Sequence, residues 1–187
     1  EIASCLVGSE MCIRDSPRVN ILQPGPGVGG HCIAVDPWFI VHRNPQKAKL
    51  IKTARLVNES KPEWVIEKVK ERAEHFKDPV IACLGLAYKN DIDDLRESPA
   101  LRIAQLLKES NIGQVIACEP NVQEKGIKGL SNLSLDKILH KADIIVLLVK
   151  HKEFLNLNIQ ALQEKIIIDT CGAVSYTHLR AHETRGN

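Results

Sequence analysis

The sequence predicts an α/β fold, a doubly wound parallel sheet preceded by a helical arm, and three observations carry that prediction. After Pro79, four short apolar runs at 80–84, 115–118, 144–148 and 166–168 alternate with stretches of helical spacing. Runs this continuous are buried on both faces, as in parallel strands covered by helices on two sides. Before Pro79 the apolar residues recur at helical spacing, behind a Gly- and Pro-rich loop at 20–37.

Taken in order, residues 20–37 read as a shaped loop because Gly and Pro interrupt regular elements. From 46 to about 58, Ala, Leu, Ile and Val recur among Lys and Arg, predicting a helix. Ser60 is expected to cap a second helix, with Pro62 and Glu63 in its first turn and Val65, Ile66 and Val69 on one face. Asp78 and Pro79 end it. The strand at 80–84 closes at Gly85, and a helix follows from about Pro99 to Lys108. A strand at 115–118, a helix near Leu135 to Lys141, and strands at 144–148 and 166–168 complete a Rossmann-like unit.

The 187 residues are 44% hydrophobic, 26% charged and 4% aromatic, with 25 basic against 23 acidic side chains and a net charge of +2. That balance gives no basic footprint for nucleic acid or an anionic membrane surface. No apolar run approaches the ~20 residues of a membrane-spanning helix. The start does not read as a secretion signal.

The two ends read as foreign. Residues 10–16 can be encoded as GAG ATG TGT ATA AGA GAC AGC, whose reverse complement translates as residues 173–179. The pairing extends out to Ile2 against Asn187, and both ends resemble translated sequencing-library adapter. The expected organisation is therefore 1–16 artefact, 17–77 loop and helical arm, 78–172 sheet domain, and 173–187 artefact. Within 17–172 the cysteines are Cys32, Cys83, Cys118 and Cys171, with no CxxC and no zinc-like spacing. No metal site is expected, and a reducing, cytoplasmic compartment is.

A doubly wound sheet binds ligands at the carboxyl ends of its strands. Polar residues follow those ends here: Lys89, Asp93, Asp94 and Arg96, then Glu119, His151 and Asp169. The first strand–helix turn, GLAYKND, lacks G-x-G-x-x-G, so a standard dinucleotide pyrophosphate site is not expected on it. Phosphate or sugar contacts would fall to side chains such as Lys89 and Arg96. The other informative segment is 25–37. Gly25, Gly27, Gly29 and Gly30 permit close backbone approach. Cys32 follows, with Asp36 four residues on; a helix starting near Cys32 would put both on one face. A thiol so placed ionises more easily than a free cysteine of pKa ~8.5. On spacing alone the alternative stands: a free cysteine is usually a small buried hydrophobe, as Cys83 and Cys118 inside apolar strands would be.

The stretches RVNILQPGPGVGGHCIAVDPWFIV, LGLAYKNDIDDLRESPALRIAQLL, ADIIVLLVKHKEF and IIIDTCG together resemble the UDP-glucose/GDP-mannose dehydrogenase family, in family order across 17–172. The resemblance implies oxidation of a sugar CH2OH to a carboxylate with two NAD. It carries the nucleophile to Cys32 of Gly29-Gly30-His31-Cys32, and a water-organising role to Asp36. It places Gly29, Arg18 (reaching a neighbouring subunit's substrate) and Lys89 at the sugar nucleotide, and Arg96 on the NAD side. Many UDP-glucose dehydrogenases have Ser and Lys where this chain has His31 and Val35. The H-C-I-x-V-D-P pattern resembles the branch acting on N-acetylated sugars, so UDP-N-acetyl-D-mannosamine is the implied substrate, and His31 is expected to fill space, with a substrate contact as the alternative. UDP-glucose or UDP-N-acetylglucosamine is the alternative substrate, and a non-catalytic nucleotide-sugar binding module the alternative function. The resemblance also implies a homo-oligomer through the central helices, and an NAD-binding domain and further catalytic residues ahead of this segment. The chain alone is therefore expected to be inactive.

Overall fold

In the computed structural model of the chain, residues 25–123, 126–155, 157, 162 and 164–173 are described below. A loop at 25–35 leads into α1 (Asp36–Arg43), of which only residues 36 and 37 fall in the expected loop, and then into α2 (Lys49–Ala73). Pro37 sits at the start of α1, where a missing N–H costs nothing.

Two helices were expected between 46 and 77, and the structure has one. Ser60 does not cap; its Oγ donates back to the Val57 carbonyl, 2.8 Å. Pro62 lies inside the continuous helix. It withholds the N–H that Asn58 O would accept, a defect worth ~3 kcal/mol in an isolated helix. The helix runs through because Pro62 is buried, and so are Val65, Ile66, Val69 and Ala73 on the same side. Tertiary packing outweighs the local break.

The sheet comprises β1 (Val80–Leu84), β2 (Gln114–Cys118), β3 (Gly126–Ile127), β4 (Leu130–Asn132), β5 (Ile144–Leu147) and β6 (Ile166–Asp169). Its order is β3-β4-β2-β1-β5-β6. Five strands are parallel, with Ile81 opposite both Val115 and Ile144, and only β3 runs antiparallel, against β4. Between β1 and β2 lies α3 (Pro99–Glu109), and between β4 and β5 lies α4 (Leu135–Lys141). Ser98 caps α3: its Oγ accepts from Leu101 N and donates to Leu86 O at 2.6 Å.

Strand alternation feeds two cores. Ile81, Cys83, Ile144 and Val146 face α2 and α3, meeting Val65, Val69, Ile103 and Leu107. Ala82, Leu84, Ile145 and Leu147 face Ile138 of α4 and Phe154. The chain thus makes the doubly wound α/β sheet expected of it, behind a helical arm. Among the described residues, no helix is long and apolar enough to cross a membrane.

Candidate active site

The glycine-rich loop is seated on the sheet domain by contacts that only glycine permits. A Cβ on Gly29 would lie on the Glu97 carbonyl oxygen, 2.7 Å from Pro99 Cδ and 3.0 Å from Tyr88 Cβ. At Gly30, where φ is +92°, a Cβ would meet the Tyr88 ring at 2.9 Å. A second attachment comes from α2. Asn58 accepts from Val28 N at 2.7 Å through Oδ1 and donates to Val28 O at 3.2 Å through Nδ2. The side-chain amide imitates a strand partner, four residues before the proline that interrupts the helix.

Cys32 follows in a turn whose carbonyl accepts from Val35 N at 3.0 Å and Asp36 N at 2.8 Å. The helix starts at Asp36 and not near Cys32, because Pro37 and the turn's hydrogen bonds fix the start four residues later. Cys32 and Asp36 are therefore joined through the backbone of one turn, and both side chains are exposed. His31 is exposed as well and does not fill space beside the thiol. The remaining cysteines differ. Burial pushes the Cys83 and Cys118 thiols up to about 12, and Cys171, half-buried beside Asp169, is also raised to about 12.

Facing this turn is the 87–98 loop. Arg96 binds Asp94 with both Nε, 3.0 Å, and Nη2, 2.6 Å, and the side-chain hydrogen bond holds the Asp94 carboxyl down at about 2. Cys32 and Tyr88 lie within electrostatic reach of the Arg96 guanidinium, and His31 of Asp94. Arg96 is thus held by Asp94 on the segment that packs against the thiol loop. Lys89 lies exposed in the turn after β1, next to the Tyr88 that floors the glycine pair.

The crossover direction reverses between β1 and β5, so the ligand crevice of this sheet lies at their carboxyl ends. A small recess of about 90 Å³ sits there, lined by Gly25, Gly27, Ala87, Tyr88, Asn90 and Val149. The arm loop forms one of its walls. Glu119 and His151, expected to line this open edge, are buried instead. Glu119 Oε2 accepts from Leu86 N at 2.7 Å and Ala87 N at 3.0 Å. Those are the first-turn N–H groups a dinucleotide would need for its pyrophosphate. An internal carboxylate already fills that place, which is the physical counterpart of the missing glycine fingerprint. Burial pushes the Glu119 carboxyl up, but bonds from His151, Leu86 and Ala87 outweigh burial and hold it below the usual glutamate range.

Of the residues singled out from sequence, Gly29 and Cys32 lie on the glycine-rich loop, Asp36 begins α1 just after it, and Lys89 and Arg96 lie on the segment between β1 and α3 that the loop packs against. Arg18 lies outside the described residues, as do 1–16 and 174–187. Sequence reasoning passed over Asn58 and Tyr88. A faint signal existed for Asn58: it stands four residues before a proline, where a helical carbonyl loses its donor.

Residues 82–176 match the UDP binding domain of the UDP-glucose/GDP-mannose dehydrogenase family, and residues 9–60 match its central domain. An NDP-N-acetyl-D-galactosaminuronic acid dehydrogenase of Ralstonia nicotianae is 52% identical over 167 residues, covering 88% of this chain and 40% of that protein. A UDP-N-acetyl-D-mannosamine dehydrogenase of Yersinia pestis is 52% identical over 170 residues, 83% of this chain and 40% of that one. The solved UDP-N-acetyl-mannosamine dehydrogenase of S. aureus superposes with a TM-score of 0.71 at 36% identity, covering 91% of this chain and 40% of its own. The chain spans about two fifths of the length of these relatives. With a matching sheet domain, a matching arm and a shared fold, this chain belongs to the UDP-glucose/GDP-mannose dehydrogenase family.

Proposed function

We propose that the enzyme carrying this chain oxidises the C6 alcohol of UDP-N-acetyl-D-mannosamine to a carboxylate, with Cys32 as nucleophile. The observation that carries this reading is the setting of Cys32. It alone of the four described cysteines is exposed, on a loop seated against the turn that holds Lys89 and within reach of Arg96. Lys89 and the backbone at Gly29 hold the sugar nucleotide, with Arg18 from the stretch before the loop, and Arg96 faces the NAD side.

NAD, when bound, supplies the hydride acceptor for each of the two oxidations. The described sheet does not fit its pyrophosphate, because Glu119 occupies the first-turn N–H groups. The chain's own residues account for the chemistry between the oxidations. The Cys32 thiolate adds to the C6 aldehyde carbon, and the resulting thiohemiacetal retains the hydrogen that the second oxidation removes. The product is a thioester. Water held by Asp36 adds to the thioester carbonyl, the C–S bond breaks, and the thiolate returns with release of the carboxylate.

The arm supports self-association. Leu50, Val57 and Trp64 recur every seven residues of α2 and are exposed, as are Phe39 and Ile40 of α1. Such a stripe fits a second copy of the arm. A cytoplasmic setting accords with the pathway chemistry this reading implies.

The test is NADH yield per sugar from the complete enzyme, with and without Cys32→Ser. Two NADH per UDP-N-acetyl-D-mannosamine, lost on the serine change, is the expected result. Turnover of the N-acetylgalactosamine nucleotide instead would favour the chemistry named for the Ralstonia nicotianae relative, which matches as well as the mannosamine one. Two NADH retained by Cys32→Ser would remove the nucleophile. No NADH from any sugar nucleotide would leave a binding module.

A further inference from the structure

Glu119 and His151 are the most deeply buried of the charged and histidine side chains among the described residues, and none of the steps above uses them. His151 Nε2 lies 3.2 Å from Glu119 Oε2, the oxygen that also accepts from Leu86 N and Ala87 N. On the other side of the ring, Nδ1 accepts from Asp91 N at 2.9 Å and faces Asn121 Nδ2 at 3.2 Å. Both neighbours are donors, so Nδ1 is the acceptor and Nε2–H donates to the carboxylate. The second carboxylate oxygen accepts from Asn121 N at 3.2 Å. Asp91 in turn accepts from Lys152 N at 3.0 Å.

The turn at 86–91 is therefore tied at its first, second and last residues to one buried pair. Between the ties stand Tyr88, the floor under Gly29 and Gly30, and Lys89. A buried polar pair adds little net stability over an apolar pair of the same shape. Its contribution here is geometric: two segments, one just after β2 and one just after β5, fix one turn.

We propose that His151 and Glu119 are positioning residues, setting the 86–91 turn so that Lys89 meets the sugar nucleotide and Tyr88 supports the thiol loop. The proposal rests on the reading of Lys89 as a substrate contact, and two separate readouts keep the two apart. The complete enzyme is compared as wild type, His151→Phe and Glu119→Gln by amide hydrogen exchange and by UDP titration. Phenylalanine keeps the ring against Phe154 and deletes the bonds to Glu119, Asp91 N and Asn121. Exchange across 86–91 is expected to rise about tenfold in His151→Phe, with β2 and β5 unchanged, and UDP affinity to fall by a similar factor, the equivalent of one lost hydrogen bond. Glu119→Gln keeps an acceptor for the two N–H groups and should move both readouts by only about threefold.

Unchanged exchange in His151→Phe overturns the proposal. So does a loosened turn that binds UDP as tightly as wild type. If the phenylalanine variant fails to fold, Glu119→Gln decides: correlated changes support the proposal, and wild-type values in both readouts overturn it. A wild type that binds no UDP, with the exchange pattern as expected, removes the sugar-nucleotide reading and leaves the anchoring of the turn supported.

Discussion

Replacing Gly29 with alanine tests the seating of the thiol loop most directly. The substitution adds one methyl and brings no left-handed backbone strain, since Gly29 is not among the positive-φ glycines. Space alone decides the outcome. The new carbon would lie 2.7 Å from Pro99 Cδ and on top of the Glu97 carbonyl oxygen. Ordinary carbon contacts are ~3.5–4.0 Å, so the loop must lift by roughly 0.8 Å or more. Two of the obstacles, a main-chain carbonyl and a proline ring, have no rotamer to retreat into. Overpacking of this kind costs ~1–3 kcal/mol. For a chain of this size that lowers the melting temperature by roughly 2–12 °C, at ~2–4 °C per kcal/mol. Gly25→Ala is the matched control, because nothing lies within 4 Å of its added methyl. Urea and thermal melts followed by tryptophan emission report stability, and iodoacetamide labelling of Cys32 reports the loop. If the two alanine variants melt alike and label Cys32 alike, the seating of the loop by close contact is wrong.

Iodoacetamide at pH 8 should modify Cys32 at least about tenfold faster than Cys83, Cys118 or Cys171, whose thiols near 12 leave roughly 10⁻⁴ as thiolate; peptide mapping by mass spectrometry checks it. Asn58→Ala deletes both bonds to Val28 and should cost ~1–3 kcal/mol by urea titration, while Asn58→Asp, which retains the acceptor for Val28 N, should cost less. Glu119 has a folded pKa below its unfolded value of ~4.3, so it contributes stability above that pH and loses it as pH falls through the folded pKa. Stability of the wild type should therefore drop more steeply below pH 4 than that of Glu119→Gln, and parallel acid limbs would contradict the assignment.

The sheet was legible because its strands are buried on both faces. Residues 144–148 contain nothing but Ile, Val and Leu, a run whose short length and β-branched content favour a buried strand. The hairpin of β3 and β4 was not legible, since strands of two and three residues have no periodicity of their own. They form because β2 offers an open edge, with Ile116 opposite Ser131, and because Lys128 and Gly129 both take positive φ in the turn. The single helix α2 was misread because a proline was given its local meaning, whereas burial of Pro62 overrode it. In the site, the spacing of Cys32 and Asp36 suggested one helix face, but the helix starts only at Asp36. The partners that seat the thiol loop could not be read from spacing: Asn58 and Val28 are 30 residues apart, and Tyr88 meets Gly30 only after the sheet has formed.

Helix α2 holds Asn58 against the thiol loop and, two to four turns later, Val65, Ile66, Val69 and Ala73 against the sheet. Both attachments are angular, and a helix advances about 100° per residue. A single residue inserted between 58 and 65 would turn the Asn58 amide away from Val28 or swing the apolar stripe out of the core. A seven-residue insertion, close to two whole turns, would restore the angles while moving the loop about 10 Å along the axis. Length changes among family members should therefore gather in the connections at 44–48 and 74–79 and avoid this stretch of helix. The rod acts as a ruler and a protractor at once, so thiol loop and sheet are inherited as a matched set.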